Sequence, residues 1–294
     1  MKKINLLLLA ATTMAIAACS PDNSEGTKDA NSTDLVGTWY IGMNPVWPAI
    51  LDSMYIDQPG TIEFTSDGKF TQESEWDKAT GTYTYADGIL SIANERVWWY
   101  DWELEKLVEQ PDSFFSTLPS IYSPKLLYDK SIMIQKAKIE NPDPQFVPKE
   151  DSFEMFFKVG ANGPSDSGLI QGFWNWKAFG NEGTSRLAVK FEGNNFEFWN
   201  PSWHERFNGT FEYKNGIVKF IVNPESFKVR RWWDLPDDFD REATANLNEL
   251  WLTPDPSEDR MEPTFGWVFV MPFVVDGNNA YSSFANLHVV FDKQ

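Results

Sequence analysis

Alternating apolar and polar residues mark two similar segments of the chain, residues 81–92 and 209–220. In each, apolar side chains stand at alternate positions on both sides of a short turn sequence that ends in glycine, a pattern typical of a half-buried β-hairpin. The turns read Ala86-Asp87-Gly88 and Lys214-Asn215-Gly216. The alternating positions are Tyr83, Tyr85, Leu90 and Ile92 in the first segment, and Phe211, Tyr213, Val218 and Phe220 in the second. We therefore predict two hairpins of the same design.

The two hairpins belong to a longer internal repeat, because other matches flank them in the same order. Residues 35–40 (LVGTWY) return as 170–175 (IQGFWN), residues 62–64 as 189–191, Phe70 as Phe196, and Trp98-Trp99 as Trp232-Trp233. We interpret the chain as a tandem duplication, with the Gly- and Ser-rich residues 161–168 joining the copies.

Each copy offers enough short strands for a closed antiparallel sheet. Late strands are predicted at residues 131–139, 153–159, 266–275 and 287–291, and each copy carries an insertion with helical spacing, Asp101–Gln110 and Asp238–Leu252. The predicted fold is all-β: two tandem β-barrels of about eight strands each, with short helical or irregular insertions. The predicted segments are a signal peptide (1–18), a flexible linker (19–34), a first β domain (35–160) and a second (169–294).

The Gly-x-Trp that opens each copy, followed by such hairpins, resembles the lipocalin-like (calycin) barrels. The resemblance implies that Trp39 and Trp174 pack across the closed end of each barrel against a basic residue from a late strand. The nearest basic candidates are Lys158 and Lys293. Another β-barrel or a β-sandwich is the alternative.

The amino terminus has the order of a secretory signal: Lys2 and Lys3, an apolar run, and small residues before Cys19. The sequence Ile16-Ala17-Ala18-Cys19 resembles the lipobox of bacterial lipoproteins. The resemblance implies that Cys19 carries acyl chains such as palmitate and anchors the protein to a membrane of the cell envelope. In such lipoproteins Asp after the cysteine signals retention in the inner membrane, so the resemblance, with Ser20 at that position, favours the outer membrane. The alternative is a plain secreted protein with a stray cysteine.

The charge balance limits the partners that the protein can bind. Lys and Arg number 25 and Asp and Glu number 43, for a formal net charge of −18. Such a surface repels nucleic acid and anionic lipid headgroups. Cys19 is the only cysteine, so no disulfide forms within one chain, and the core alone must stabilise the fold.

Catalytic and cofactor motifs are not found in the sequence. The two histidines, His204 and His288, have no equivalent in the first copy, and there is no nucleophile elbow, phosphate-binding glycine loop or zinc spacing. The acidic residues 234–240 lack the ligand order of a calcium loop. We expect a protein that is not an enzyme and has neither a cofactor nor a metal.

Tryptophan supplies the remaining candidates for a ligand site. The candidate binding residues are Trp98, Trp99, Trp102, Trp199, Trp203, Trp232 and Trp233. Adjacent strand residues point to opposite faces, so only one member of each Trp pair can line a barrel interior. We predict binding of a small apolar or amphipathic ligand in an aromatic-lined barrel. The alternatives are a glycan-binding surface or a structural scaffold whose aromatic rings merely fill two cores.

Overall fold

A computed structural model describes residues 32–53, 60–115, 119–136, 153–177, 187–200, 205–229, 263, 266–284 and 287–294. The chain divides into two compact units. The first takes in residues up to 42 and 58–161, and the second takes in residues 43–57 and 162–294. The described part of residues 43–57 therefore belongs to the second unit, although it lies in the first copy of the repeat.

The first unit is a closed antiparallel barrel, here called barrel one. Its strands are β1 (Gly37–Ile41), β2 (Thr61–Phe64), β3 (Lys69–Glu73), β4 (Asp77–Ala86), β5 (Ile89–Asp101), β6 (Lys106–Glu109), β7 (Ser120–Leu127), β8 (Ile132–Lys136) and β9 (Phe153–Lys158). Eight of them follow each other around the ring in chain order, and β9 pairs with β1 to close it. Strand β6 lies outside the ring, on β5.

The second unit repeats this topology as barrel two. Its strands are β10 (Gly172–Lys177), β11 (Ala188–Glu192), β12 (Asn195–Asn200), β13 (Glu205–Lys214), β14 (Ile217–Val222), β15 (Lys228–Val229), β16 (Val268–Pro272), β17 (Val274–Asp276), β18 (Asn279–Phe284) and β19 (Leu287–Lys293). Strand β16 pairs with β14 and β17 pairs with β18, and only Phe273 separates them. This stretch brings the two ends of a nine-strand sheet close together, so the prediction of two tandem β-barrels of about eight strands each is confirmed.

The predicted hairpin turns are confirmed by their backbone angles. Asp87 and Gly88 have φ of 51° and 75°, and Asn215 and Gly216 have φ of 52° and 79°. Two successive positive φ angles define the type I′ turn, which matches the twist of the flanking strands and favours Asn or Asp followed by Gly.

The end of each barrel that contains the Gly-x-Trp motif is closed by the Trp–Lys contact that the resemblance implied. Trp39 and Trp174 are fully buried, and their indole N–H groups donate to Leu35 O (2.8 Å) and Ile170 O (2.7 Å). Lys158 Nζ lies 5.2 Å from the Trp39 ring centroid, which is a cation–π contact.

The contact in barrel two is nearly the same, with 5.3 Å between Lys293 Nζ and the Trp174 ring centroid. The glycine of each motif follows from this closure. Gly37 and Gly172 have φ of 124° and 113°, and a Cβ there would lie 3.3 Å and 3.1 Å from the Cε atom of the lysine.

The interpretation of Asp101–Gln110 as a helical segment is wrong. These residues form the end of β5, a turn and the strand β6, in which Leu107 and Val108 pair with Tyr100 and Trp99. Residues 98–100 and 107–108 are aromatic, branched or large apolar residues that favour strands, and pairing with β5 outweighs a weak helical period. The other predicted insertion, Asp238–Leu252, lies outside the described residues.

The helix α1 (Pro48–Ser53) was not predicted from the sequence. Its signal was present, because Pro48 stands at the first helical position, where a missing N–H costs nothing. The helix lies beside β16 in the second unit, and Lys219 Nζ lies 5.9 Å from the ring centroid of the preceding Trp47.

Two glycines at equivalent positions of the barrels give a test of the strand packing that both copies share. A Cβ on Gly81 would lie 2.0 Å from Ala93 O, and one on Gly209 would lie 2.0 Å from Ile221 O. Because the backbone must shift, we expect Gly81→Ala and Gly209→Ala each to lower the free energy of unfolding by about 1–3 kcal/mol. Denaturant unfolding measures the change. The exposed neighbour Thr82→Ser should change it by less than about 0.5 kcal/mol; equal effects of Gly81→Ala and Thr82→Ser would contradict the strand packing described here.

Candidate functional site

The interior of barrel two is filled by its own phenylalanines. Phe198 and Phe207 stack with ring centroids 5.0 Å apart, and Phe220 and Phe269 stack at 4.6 Å. All four are no more than 1% exposed. They form one layer of the core, here called the phenylalanine layer. At this level the interior of barrel two is occupied by the protein's own side chains.

Barrel one has smaller side chains at the equivalent positions. The repeat aligns Gln72 with Phe198, Ala79 with Phe207 and Ile92 with Phe220, by the matches of Phe70 with Phe196 and of the two hairpins. Ser120 is opposite Ile92 in the ladder of barrel one, as Phe269 is opposite Phe220 in barrel two. Four phenylalanines are thus replaced by Gln, Ala, Ile and Ser.

These four residues of barrel one are partly exposed, whereas their counterparts in barrel two are buried. They face the interior, because Ala79 and Ile92 pack against the core that contains Trp39, and Gln72 and Ser120 lie two residues from inward positions. At the end of barrel one away from Trp39, the level that matches the phenylalanine layer is therefore occupied by smaller or polar side chains that are only partly buried. We call it the barrel-one recess, bounded by Gln72, Ala79, Ile92, Ser120 and Glu154.

A carboxylate and an amide stand next to each other in the wall of the recess. Glu154 and Gln135 are cross-strand partners on β9 and β8, in register with the core residues Phe156 and Met133. Gln135 is 5% exposed. In barrel two the corresponding pair is Val289 and Ser282, both fully buried. The recess is therefore polar where the matching level of barrel two is mostly apolar.

The electrostatics of the recess are governed by burial and by a second acid. Burial raises the pKa of Glu154, and the nearby carboxylate of Asp77 raises that pKa further. Burial also raises the pKa of the Tyr122 phenol; a side-chain hydrogen bond with Ser120 acts in the opposite direction, and the charge of Glu154 adds to the increase. Tyr122 packs against the same core as Ile92. Glu154 and Tyr122 thus share one poorly solvated environment.

The two adjacent tryptophans of β5 face opposite sides of the sheet. Trp99 lies on the same face as the buried Val97 and opposite Asp77, and its indole nitrogen is buried without a hydrogen-bond partner. Trp98 lies on the other face, where the guanidinium of Arg96 is 4.8 Å from its ring centroid. Of the predicted pair, only Trp99 is on the recess side.

Trp102 belongs to an exposed aromatic cluster instead of the interior. Its side chain is 73% exposed, and its ring stacks on Trp76 with centroids 4.8 Å apart. Tyr100 meets both rings edge-on, at 5.2 Å and 5.0 Å. The outward face of the Trp102 ring is the flat, open aromatic surface that a glycan site would need.

Trp199 lies on the outer face of barrel two, because it alternates with the inward Phe198. It is 5% exposed and contacts Phe173 edge-on at 5.7 Å, with the guanidinium of Arg206 5.4 Å from its ring centroid. The predicted residues Cys19, Trp203, Trp232 and Trp233, together with His204, lie outside the described residues. His288 lies in β19.

A shallow depression of about 470 Å³ lies on the outer face of β11–β13. It is lined mostly by polar residues, among them Lys190, Glu192, Asn195, Glu197 and Asn208. Lys190 pairs with Glu192 at 2.8 Å, and Glu197 accepts hydrogen bonds from Arg206. These charges are already partnered, and the lining residue Phe196 packs against Phe220 of the phenylalanine layer, with ring centroids 4.8 Å apart.

Sequence reasoning missed Glu154, Gln135 and Asp77. Their signal was available in the repeat: the strand Phe153–Lys158 (FEMFFK) has an acid two residues before an inward Phe, where the second copy has valine. Matching Glu154 to the valine requires the late strands of the two copies to be aligned. Their sequences are not similar enough to align them without the strand pairing.

The described residues contain neither a cluster of metal ligands nor a helix that could span a membrane. No group of three or more His, Cys, Asp or Glu side chains in this part of the chain is arranged to hold a metal ion. No helix among the same residues has the length and apolar character needed to cross a bilayer.

Comparisons with known proteins give little further information. No family model and no curated protein matches the chain. Among solved structures, the chain is similar to Aeromonas veronii immune modulator A, with 10% identity, 88% of this chain and 94% of that chain covered, and a TM-score of 0.24. A TM-score this low supports no inference about function.

The raised pKa of Glu154 predicts a pH-dependent stability. As pH rises from the ordinary value of 4.5, the unfolded chain ionises before the folded one, so the folded state loses stability until the folded pKa is passed. Glu154→Gln removes this loss. We expect the variant to melt at a higher temperature than the wild type at neutral pH, with the difference shrinking below pH 4.5.

The control for that measurement is Glu63→Gln, which removes an exposed carboxylate from the outer face of β2. Its melting temperature should follow that of the wild type across the same pH range. A Glu154→Gln variant that is less stable than the wild type at neutral pH would show that the Glu154 carboxylate is favourably paired in the fold.

Proposed function

We propose that barrel one binds a small amphipathic ligand in its recess, while barrel two is a filled structural barrel. The observation that carries the proposal is the replacement of the phenylalanine layer by Gln72, Ala79, Ile92 and Ser120 at equivalent positions. A core that gives up four buried phenylalanines loses several kcal/mol for each ring unless something else occupies the space. Ligand sites combine apolar walls with a few polar groups that fix orientation, and the recess offers both kinds of side chain.

The walls of the recess match both parts of an amphipathic molecule. Ile92, Ala79 and the aromatic rings of Tyr122 and Trp99 offer apolar contact, whereas Glu154 and Gln135 offer polar groups at the same level. The proposed role is non-catalytic: the recess holds a molecule and shields its apolar part from water.

The proposed location is the cell envelope, with Cys19 acylated and the barrels tethered by residues 20–34. Two or three acyl chains make a stable anchor, since each buried methylene contributes ~0.8 kcal/mol. An outer-membrane location follows from the resemblance to lipoproteins with Ser after the cysteine. The acidic barrels themselves have no attraction for an anionic membrane surface.

A glycan-binding surface is the second candidate, and the exposure of Trp102 favours it. A ring that is 73% exposed and stacked on Trp76 presents one open face. An aromatic face of this kind suits the apolar side of a sugar ring. This function would use the outside of the β5–β6 hairpin and would not depend on the recess.

Filling the recess tests the main proposal. Ala79→Phe restores at β4 the ring that barrel two has in Phe207, and Ser120→Phe restores the equivalent of Phe269. Decylamine, decanol and decanoate are titrated below their aggregation limits, with tryptophan fluorescence and melting temperature as readouts. We expect at least one probe to stabilise the wild type, by about 2.7 kcal/mol at one hundred times its Kd, and the double variant to show no response.

The control for the filled recess is Thr84→Phe, which adds the same ring to the exposed outer face of β4. It should leave binding unchanged. If no probe changes the wild type, or if the filled variant binds as well as the wild type, the recess is not a ligand site. A neutral oligosaccharide that quenches fluorescence only while Trp102 is present would instead favour the glycan surface.

Removing the acylated cysteine tests the anchor. We expect Cys19→Ser to abolish labelling by a palmitate analogue and to release the protein from the membrane fraction into the soluble fraction, because nothing else in the proposed arrangement holds it there. The measurement is fractionation after metabolic labelling. A Cys19→Ser protein that stays with membranes would contradict the lipoprotein interpretation.

A further inference from the structure

We propose that the ligand of the barrel-one recess is an organic cation with an apolar body, held by Glu154 and Asp77. This inference rests on the proposed function and names the chemical class that the recess selects. The two acids come from different strands and face the interior at the same end of barrel one: Glu154 on β9 is opposite Gln135, and Asp77 on β4 is opposite Trp99. The recess brings them together where barrel two brings together phenylalanines.

The charges that line the recess have one sign. By strand alternation, the inward positions of the eight ring strands at this end of barrel one include Glu154 and Asp77 but no lysine or arginine among the described residues. Lys106 shares the Trp99 face of the β5–β6 hairpin, but β6 lies outside the ring, and there Lys106 is exposed and opposite Asp101. Lys158 also points inward, but it lies at the opposite end of the barrel, where its ammonium group contacts the ring of Trp39. Lys78 and Arg96 are on the outer face, where they pair with Glu73 and Glu109.

A carboxylate in poorly solvated surroundings needs a positive partner or a proton. Charging Glu154 in the empty recess is costly because of burial and of Asp77, and a bound ammonium group would offset both effects. Such a pair is charge-assisted and shielded from water, so it is stronger than an ion pair on the surface. An anionic ligand would meet two like charges instead.

Trp99 supplies an independent sign that a molecule belongs in this place. Its indole nitrogen is buried and donates to no acceptor, and the residue lies opposite Asp77 in the β4–β5 ladder. A buried donor without an acceptor is unfavourable, and an oxygen of a bound ligand would relieve it. The same ring offers an aromatic face, and Tyr122 offers another, for attraction to a cation.

The test compares three probes with the same apolar chain and different head groups: decylamine, decanol and decanoate. We expect decylamine to bind the full-length protein at least about tenfold more tightly than decanol, and decanoate to bind most weakly. Glu154→Gln should lower the affinity for decylamine to about that for decanol, and Asp77→Asn should lower it less. Both variants should change the affinity for decanol much less than the affinity for decylamine, because the alcohol carries no charge.

Two controls separate specific binding from general attraction to an acidic protein. Glu63→Gln removes one exposed acid and should leave the affinity for decylamine unchanged, whereas Ala79→Phe with Ser120→Phe should abolish it. Circular dichroism confirms that each variant is folded.

The results distinguish this inference from the function on which it rests. If decanol or decanoate binds as tightly as decylamine, or if Glu154→Gln binds decylamine as well as the wild type, the recess binds amphiphiles but does not select cations. If none of the three probes binds the wild type, the proposed function itself fails.

Discussion

Each barrel depends on the contact between a buried tryptophan of its first strand and a lysine of its last. Trp39 and Lys158 join the two strands that must meet for the ring to close, and the indole N–H is bonded to the turn that precedes the strand. The lysine stem passes over Gly37, which is why that position has no side chain. The repetition of all these features around Trp174 shows that closure has been kept in both copies while much else has changed.

The two barrels are closed in the same way at one end. At the opposite end the side chains that line their interiors differ. Barrel two stacks four phenylalanines at this level, and the resulting aromatic contacts leave a dense interior. Barrel one has short or polar side chains in the same layer and places Glu154 beside Gln135. A polar, partly exposed layer gives less hydrophobic stabilisation than a phenylalanine layer. Functional sites often depart from optimal core packing in this way, which supports the proposed ligand site in barrel one.

The division of roles that we propose for the two barrels has a simple physical basis. A duplicated fold needs only one copy to supply a site, and the other can be optimised for packing. In the proposed site, the charged form of Glu154 is disfavoured by burial and by Asp77, and a bound cation would offset both effects. The exposed cluster of Trp76, Tyr100 and Trp102 is separate from this site. Its rings pack against one another on the outside of a hairpin.

The Trp–Lys contact was implied by the resemblance to lipocalin-like barrels. The sequence by itself determined the all-β class, the duplication and the hairpin turns. These features follow from local rules: alternation sets the faces of a strand, and positive φ at Asp87-Gly88 requires the residues found there. Only the tertiary structure decided that Trp99 and not Trp98 lies on the recess side, and that residues 101–110 form strand rather than helix. It also decided the recess, because Ser120 and Glu154 become neighbours of Ala79 only through the pairing of strands far apart in the chain. The space between such residues depends on what faces them across the barrel, which no local pattern encodes.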